Sequence, residues 1–235
     1  MEFVISHLSK SYGKHQVLRD VDHAFEEGKI YGLLGRNGAG KTTLFNCLNS
    51  DMEVDAGSFY FREGDRTEPV NAEDIGYVLS TPTVPDFMTG REFLKFFMDI
   101  HAERIRDPKS IDQYMDFMMI PQDTRDRLMK DYSHGTRNKM QMLVNIIAGP
   151  RLMLLDEPLT SLDVVVAEEM KDILKSQKAG RVLIFSTHLL DIAVDVCDEI
   201  VLLNHGRLEA VDKADLNDDD FKTKIIEALK DAEVS

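Results

Sequence analysis

Several residue types and patterns are scarce or missing in this chain of 235 residues. It has no tryptophan and only two cysteines, Cys47 and Cys197, whose spacing matches neither a metal-binding motif nor a disulfide framework. No apolar run approaches the length that crosses a bilayer, and the first residues lack the basic-then-apolar pattern of a signal peptide. The sequence therefore predicts packed thiols and a cytoplasmic protein.

Positively charged residues are also fewer than negatively charged ones. Lysine and arginine number 28 against 42 aspartates and glutamates, which gives a net charge of −14 at pH 7. This balance opposes non-specific attachment to nucleic acid or to an anionic bilayer. We therefore expect no nucleic-acid partner, and we expect any membrane association to go through a partner protein.

The most informative segment that is present is rich in glycine. An apolar run, Ile30–Leu34, precedes it, and it leads into Thr43-Leu44-Phe45. Its pattern, G-x-x-x-x-G-K-T between a strand and a helix, turns backbone N–H groups around phosphates; a glycine-rich surface turn is the alternative. The segment is Gly35-Arg36-Asn37-Gly38-Ala39-Gly40-Lys41-Thr42.

The same segment predicts a metal-bound nucleotide. Lys41 is placed to reach the β- and γ-phosphates, and the Thr42 hydroxyl is placed to bind Mg²⁺. The helix that begins near Lys41 points its positive end at the anion, so Thr43 in its first turn belongs to the same candidate site.

A pair of acidic residues follows a second buried strand. Leu152–Leu155 is a short apolar run, and Asp156-Glu157-Pro158 comes directly after it. Asp156 suits the coordination sphere of Mg²⁺, whereas Glu157 suits a general base that polarises the attacking water. The alternative is a helix start with acidic residues in its first turn.

The order of the remaining elements predicts an α/β fold. Short antiparallel strands occupy the first thirty residues, and Phe59–Phe61, Ile75–Leu79, Val182–Phe185 and a hairpin at 200–209 supply further strands. Between them, 89–148 is typical of helices. We expect a P-loop NTPase (RecA-like) parallel core with an antiparallel β layer, formed by 1–84 and 149–235, and an inserted all-helical lobe at 85–148.

Some helix bounds follow from local signals. Thr89-Gly90-Arg91-Glu92 is a capping box, which places Phe93, Phe96, Phe97 and Ile100 on one helix face. Asp107-Pro108 predicts a second helix start that Ile120-Pro121 ends. Further helices are expected at 133–148, at 163–176 and, from the spacing of Phe221, Ile225, Ile226 and Leu229, at the C-terminal end.

With these pieces in place, the chain resembles the nucleotide-binding subunit of an ATP-binding cassette (ABC) transporter along nearly its whole length. Tyr12 lies where that family has an aromatic residue that stacks on adenine. Tyr132-Ser133-His134-Gly135-Thr136 is similar to the family signature L-S-G-G-Q, and Ser186-Thr187-His188 is similar to the histidine switch. The resemblance implies that Ser133 and Gly135 bind the γ-phosphate of ATP held by another subunit, and that His188 positions water.

Three positions depart from the family pattern. Ser80 follows the Gly76–Leu79 strand where the family has glutamine or glutamate, which is a metal and water contact, and His134 and Thr136 replace two signature residues. The short chain and the tyrosine-started signature look most like the ATPases of two-component exporters for drugs, peptides or lipid-like compounds.

The resemblance implies an ATPase that uses ATP and Mg²⁺. Two nucleotide-binding subunits, identical or different, would close head to tail around two ATP molecules and drive a separate transmembrane permease subunit, with the ATPase peripheral on the inner face of the membrane. Glu157 would be the base, and Lys41 and His188 would complete the catalytic set. The alternative is a soluble ABC-type regulatory module that binds nucleotide with little turnover and no transport role.

Overall fold

The structure, a computed structural model, describes residues 1–105, 108–160, 162–211 and 225. The strands in chain order are β1 (Glu2–Tyr12), β2 (His15–Glu26), β3 (Ile30–Leu34), β4 (Ala56–Glu63), β5 (Arg66–Pro69), β6 (Ile75–Val78), β7 (Leu152–Asp156), β8 (Val182–Thr187), β9 (Glu199–Asn204) and β10 (Arg207–Val211). The helices are α1 (Lys41–Leu48), α2 (Gly90–Ile100), α3 (Ile111–Phe117), α4 (Gln122–Arg125), α5 (His134–Ala148), α6 (Val164–Ser176) and α7 (Leu190–Val196).

Two sheets organise these elements. The first is antiparallel, with the strand order β2-β1-β4-β5. The second has the order β10-β9-β3-β8-β7-β6, in which β9, β3, β8, β7 and β6 are parallel and only the edge strand β10 runs antiparallel. The predicted combination of a parallel core and an antiparallel β layer is therefore present.

The parallel strands bring three loops to one edge of the sheet. Every residue of β3, β7 and β8 is buried, which explains the apolar runs that form all of β3 and begin β7 and β8. Leu34 pairs with Thr187, and Asp156 pairs with Ser186. Because parallel strands end at the same edge, the segments that follow β3, β7 and β8 lie side by side.

Helices occupy the chain between β6 and β7. The Thr89 side chain accepts a hydrogen bond from the Glu92 amide, and the Glu92 carboxylate accepts one from the Thr89 amide, so the capping box at α2 is confirmed. Helices α5 and α6 also begin where expected, since the side chains of Ser133 and Asp163 cap their first turns.

Two expectations about these helices were wrong. Helix α3 begins at Ile111, not at Pro108, because Ser110 and Gln113 form a capping box that defines the start. Phe96 and Ile100 are exposed, whereas Phe93, Leu94, Phe97 and Met98 pack in the core, so the buried face of α2 is rotated from the predicted one. The expected C-terminal helix lies outside the described residues except for Ile225, which is buried beside Leu34 and Ile200.

The core consists of two main apolar clusters, one on each face of the parallel sheet. One cluster joins the antiparallel layer and α1 to the parallel sheet, and Phe3, Phe25 and Phe61 are among its members. The other cluster joins the helices between β6 and β7 to the opposite face of the same sheet. Cys47 lies in the first and Cys197 in the second, and both side chains are buried as predicted.

Within the described part of the chain, every helix is too short or too polar to traverse a bilayer.

A bulge in the antiparallel layer makes one glycine indispensable. The pairing of β1 with β4 shifts register between Ser6 and Ser9, and His7 in the bulge has φ 53°. Gly57 faces this bulge with φ 86°, and a Cβ atom placed there would lie 2.3 Å from the His7 carbonyl oxygen. Only glycine allows the two backbones to approach this closely.

Candidate functional site

The loop Gly35–Thr42 connects β3 to α1 at the edge where the parallel strands end. Gly40 lies at the N-terminus of α1 with φ 107°, and a Cβ atom there would lie 2.7 Å from Cγ1 of Val17. This position therefore requires glycine, and the loop stays close to β2.

The loop borders a cavity of about 480 Å³. Its lining combines residues of the loop and α1 with the acidic residues that follow β7 and with two residues of β2. The lining residues are His15, Val17, Asn37, Gly38, Gly40, Lys41, Thr42, Thr43, Ser80, Asp156 and Glu157. The fold thus brings the two motifs identified in the sequence to one cavity.

Lys41 is held inside this cavity by its own loop. Its ammonium group is buried and donates hydrogen bonds to the carbonyl oxygens of Gly35, at 2.6 Å, and Arg36, at 3.1 Å. Oε1 of Glu157 lies 3.5 Å from the same nitrogen. Burial lowers the pKa of Lys41, against the opposing effect of the Glu157 charge. The ammonium group is therefore held between its own loop and Glu157.

A hydroxyl and a carboxylate meet at one point of the cavity. Oγ1 of Thr42 donates to Oδ2 of Asp156 at 2.8 Å, and Oδ1 of Asp156 accepts from the Ser186 hydroxyl at 2.6 Å. Mg²⁺ prefers oxygen ligands and is bound in phosphate sites by one or two carboxylates together with the phosphates. The donor set of Thr42 and Asp156 therefore fits Mg²⁺.

Glu157 is enclosed by partners from three directions. His188 Nδ1 lies 3.1 Å from both of its carboxylate oxygens, and the Thr160 hydroxyl donates to Oε2 at 3.2 Å. Burial alone would raise the pKa of Glu157, but the hydrogen bond and charge of His188 and the charge of Lys41 outweigh it, and the pKa lies below its usual value. The side chain is therefore an ionised carboxylate near neutral pH.

Ser80 reaches the cavity from the loop after β6, and a residue of α5 holds that loop. The buried side chain of Gln141 donates through Nε2 to the Leu79 carbonyl oxygen at 3.3 Å, and its Oε1 accepts from the Thr83 amide at 2.7 Å. Gln141 was not predicted from the sequence. It follows Met140 by one residue and so falls about 100° around the helix from the apolar stripe of Met140, Leu143 and Ile147, where periodicity gives no signal of burial.

Other candidate residues lie outside the cavity lining. Tyr12 is half exposed and donates its hydroxyl to Sδ of Met52 at 3.1 Å, while His15 and Val17, which the sequence analysis missed, line the cavity instead. Ser133 caps α5 and is exposed, and its hydroxyl oxygen accepts from the Thr136 amide at 3.1 Å. Gly135 follows in the first turn of the same helix.

Comparisons with known proteins agree with this geometry. The family model described as "ABC transporter" matches residues 18–160. An uncharacterised ABC transporter ATP-binding protein of Bacillus subtilis, YdbJ, is 30% identical over 210 residues, which cover 88% of this chain and 67% of YdbJ. A second, MJ1023 of Methanocaldococcus jannaschii, is 31% identical and covers 86% and 74%. The sulfate/thiosulfate import ATP-binding protein CysA of Synechococcus elongatus is 28% identical and covers 88% and 61%.

Solved structures share the fold at lower sequence identity. An ATP-binding subunit of an ABC transporter superposes with a TM-score of 0.77 at 22% identity, over 96% of this chain and all of that one. CbiO1 of Clostridium perfringens gives 0.76 at 20% identity over 96% and 94%. The predicted fold is therefore confirmed. From the matched family model and the relatives that are 30% identical or more, the chain belongs to the ABC transporter family, as an ATP-binding subunit that hydrolyses ATP.

Proposed function

We propose that this chain binds ATP with Mg²⁺ at the cavity beside Gly35–Thr42, pairs with a second nucleotide-binding subunit, and drives a separate permease in export. One observation carries the proposal: Lys41, Asp156 and Glu157 line one cavity, and His188, which follows β8, contacts the Glu157 carboxylate. The core would comprise 1–84 and 149–235, and the helical lobe 85–148.

Each predicted residue of the cavity has a role in this proposal. The backbone of Gly35–Gly40 and the first turn of α1, up to Thr43, surround the phosphates, and Lys41 neutralises the β- and γ-phosphates. Thr42 and Asp156 would hold Mg²⁺, and Ser80 lines the same cavity. Bound Mg²⁺ supplies positive charge that offsets the charge developing on the transferred phosphoryl group.

Hydrolysis needs a base beside the γ-phosphate. Glu157 is ionised and lies 3.5 Å from the Lys41 ammonium, so its carboxylate is placed to take a proton from a water that attacks the phosphate. His188 contacts both oxygens of that carboxylate and would orient it and the water.

The signature segment supports a paired arrangement. Ser133 and Gly135 lie at the N-terminus of α5, outside the lining of this chain's own cavity, and Ser133 is exposed. Donors at a helix N-terminus suit a phosphate, which a second subunit would supply in a head-to-tail pair.

Tyr12 would stack on adenine at the outer rim of the cavity. Export rests on the tyrosine-started signature, while the importer CysA among the relatives shows that the cassette also occurs in import systems.

Ser80→Gln should reduce the Mg²⁺ concentration that gives half-maximal ATPase activity. The serine side chain is shorter than that of glutamine, whose carboxamide would add an oxygen ligand for the metal. Most charge stabilisation comes from Lys41, Thr42 and the loop, which the substitution leaves in place. The rate at saturating Mg²⁺ should change by less than about twofold. Mg²⁺ titrations of ATPase activity measure both quantities. Thr81→Gln, at the exposed neighbouring position, is the matched control. An unchanged midpoint would show that position 80 does not face the metal.

A surface for the permease lies next to the capping box of α2. Phe87 is 80% exposed, yet its backbone is anchored, because the Met129 amide donates to the Met88 carbonyl at 2.8 Å and the Lys130 amide donates to that of Asp86 at 3.3 Å. A large apolar side chain held outward on a fixed backbone suits contact with the apolar face of a short helix of a membrane subunit.

Phe87→Ser should abolish binding of the permease and leave the ATPase activity of the isolated chain unchanged. The change removes exposed apolar area without touching the nucleotide cavity. The measurement is co-purification of a protein with transmembrane helices, identified by mass spectrometry, with the tagged chain from solubilised membranes. Met119→Ser, at another exposed apolar residue of the helical region, is the control. Retained binding in Phe87→Ser, or parallel loss of ATPase activity, would contradict the assignment.

A further inference from the structure

A buried hydroxyl next to the site has no role in the reaction described above. Ser186 is the next-to-last residue of β8, its exposed fraction is 0%, and it pairs across the sheet with Asp156. It precedes His188, which follows β8 and contacts Glu157, by two residues.

The Ser186 hydroxyl makes two hydrogen bonds to consecutive residues. It donates to Oδ1 of Asp156 at 2.6 Å, and its oxygen accepts from the backbone amide of Glu157 at 3.0 Å. Thr42 donates to the other oxygen of Asp156 at 2.8 Å. Both oxygens of that carboxylate are therefore fixed, one by α1 and the other by β8.

The backbone at Glu157 is strained. Its φ is 48°, which is a left-handed conformation that a non-glycine residue adopts only at a cost. The bond from its amide to Ser186 is a contact that holds the peptide in this orientation. The direction in which the Glu157 side chain leaves the chain, toward Lys41 and His188, depends on that orientation.

We propose that Ser186 is a positioning residue, whose single hydroxyl sets both the carboxylate of Asp156 for the metal and the backbone of Glu157 for the base. This inference rests on the proposed roles of Asp156 and Glu157. The strand β8 thus supports the end of β7 from inside the sheet, and His188, directly after β8, contacts the Glu157 side chain.

The test uses Ser186→Ala and Ser186→Thr, with Ser176→Ala as the matched control. Ser176 also donates a serine hydroxyl, to the Ile173 carbonyl at 2.6 Å, but it lies at the end of α6 away from the cavity. Three quantities are measured at a temperature at which circular dichroism shows each variant fully folded: kcat and KM for ATP, the Mg²⁺ midpoint of activity, and binding of a fluorescent ATP analogue in EDTA.

For Ser186→Ala we expect kcat to fall by about 10- to 100-fold and the Mg²⁺ midpoint to rise, as for the loss of other outer-shell partners of metal ligands. Analogue binding in EDTA should stay within about twofold, because the phosphate loop is intact. Ser186→Thr keeps the hydroxyl and should retain at least about half of kcat, and Ser176→Ala should match the unmodified chain.

Three results would overturn the inference. These are an unchanged kcat in Ser186→Ala, an equal loss in Ser186→Ala and Ser186→Thr, or a loss of analogue binding in EDTA that equals the loss of kcat. Glu157→Gln separates this failure from failure of the proposed function: if that variant is inactive while Ser186→Ala is fully active, only the positioning role of Ser186 is wrong.

Discussion

Glu157→Gln should reduce steady-state ATP hydrolysis by at least about 100-fold, because an amide cannot accept the proton that a general base removes. Glutamine has the size of glutamate and can keep the contacts with Thr160 and His188. The loss of a negative charge 3.5 Å from Lys41 leaves that ammonium free to bind phosphate more tightly. ATP binding should therefore persist, and the ATP-bound pair should accumulate.

Two measurements check this result separately. Phosphate release reports hydrolysis, and light scattering with ATP and Mg²⁺ reports whether the mass doubles. Glu169→Gln is the matched control, since Glu169 also pairs with a lysine, Lys139, but lies on α6 outside the cavity lining. Near-normal hydrolysis in Glu157→Gln would show that Glu157 is not the base. A monomeric mass at saturating ATP would contradict pairing between copies of this chain.

Gly57→Ala should cost about 3 to 5 kcal/mol of folding free energy, from the left-handed backbone and from a methyl group forced against another backbone. The added carbon would lie 2.3 Å from the His7 carbonyl oxygen and 2.5 Å from the Leu8 nitrogen. Neither is the end of a flexible side chain, so the strands themselves must separate. This is a large share of the total stability of an ordinary domain.

Thermal and urea denaturation measure the loss. For a chain of this length the midpoint should fall by about 10 °C or more. Gly64→Ala is the control, because Gly64 has φ 57° and a Cβ atom there meets no described heavy atom within 4 Å. Its midpoint should fall by much less. Equal shifts in the two variants would mean that the bulge opposite Gly57 yields without strain.

Motifs that are contiguous in the sequence were the predictable part of the site. Gly35–Thr42 and Asp156-Glu157 each carry their strand and their turn with them, and local patterns identify such units. His15 and Val17 were missed because they reach the cavity from β2 through tertiary packing, which leaves no local signal. The roles of all the candidate site residues, those of Tyr12, Ser133 and Gly135 included, stay predictions.

The alternation of strands and helices was sufficient for the fold, but not for every bound within it. At α3, Pro108 predicted an earlier helix start than the capping box Ser110–Gln113. The two reciprocal hydrogen bonds of that box define the observed start. At α2, spacing alone placed Phe96 on the buried face, although the observed packing face consists of Phe93, Leu94, Phe97 and Met98.

The burial of both native thiols makes this chain a convenient host for site-specific labelling. Cys47 lies between the antiparallel layer and the parallel sheet, where burial raises the pKa of its thiol, and Cys197 is packed against Gly32. Thiol reagents attack the exposed thiolate form, so both should react slowly in the folded protein. A cysteine introduced at position 133 or 87 would then carry a spin label or fluorophore selectively, without removal of the native residues.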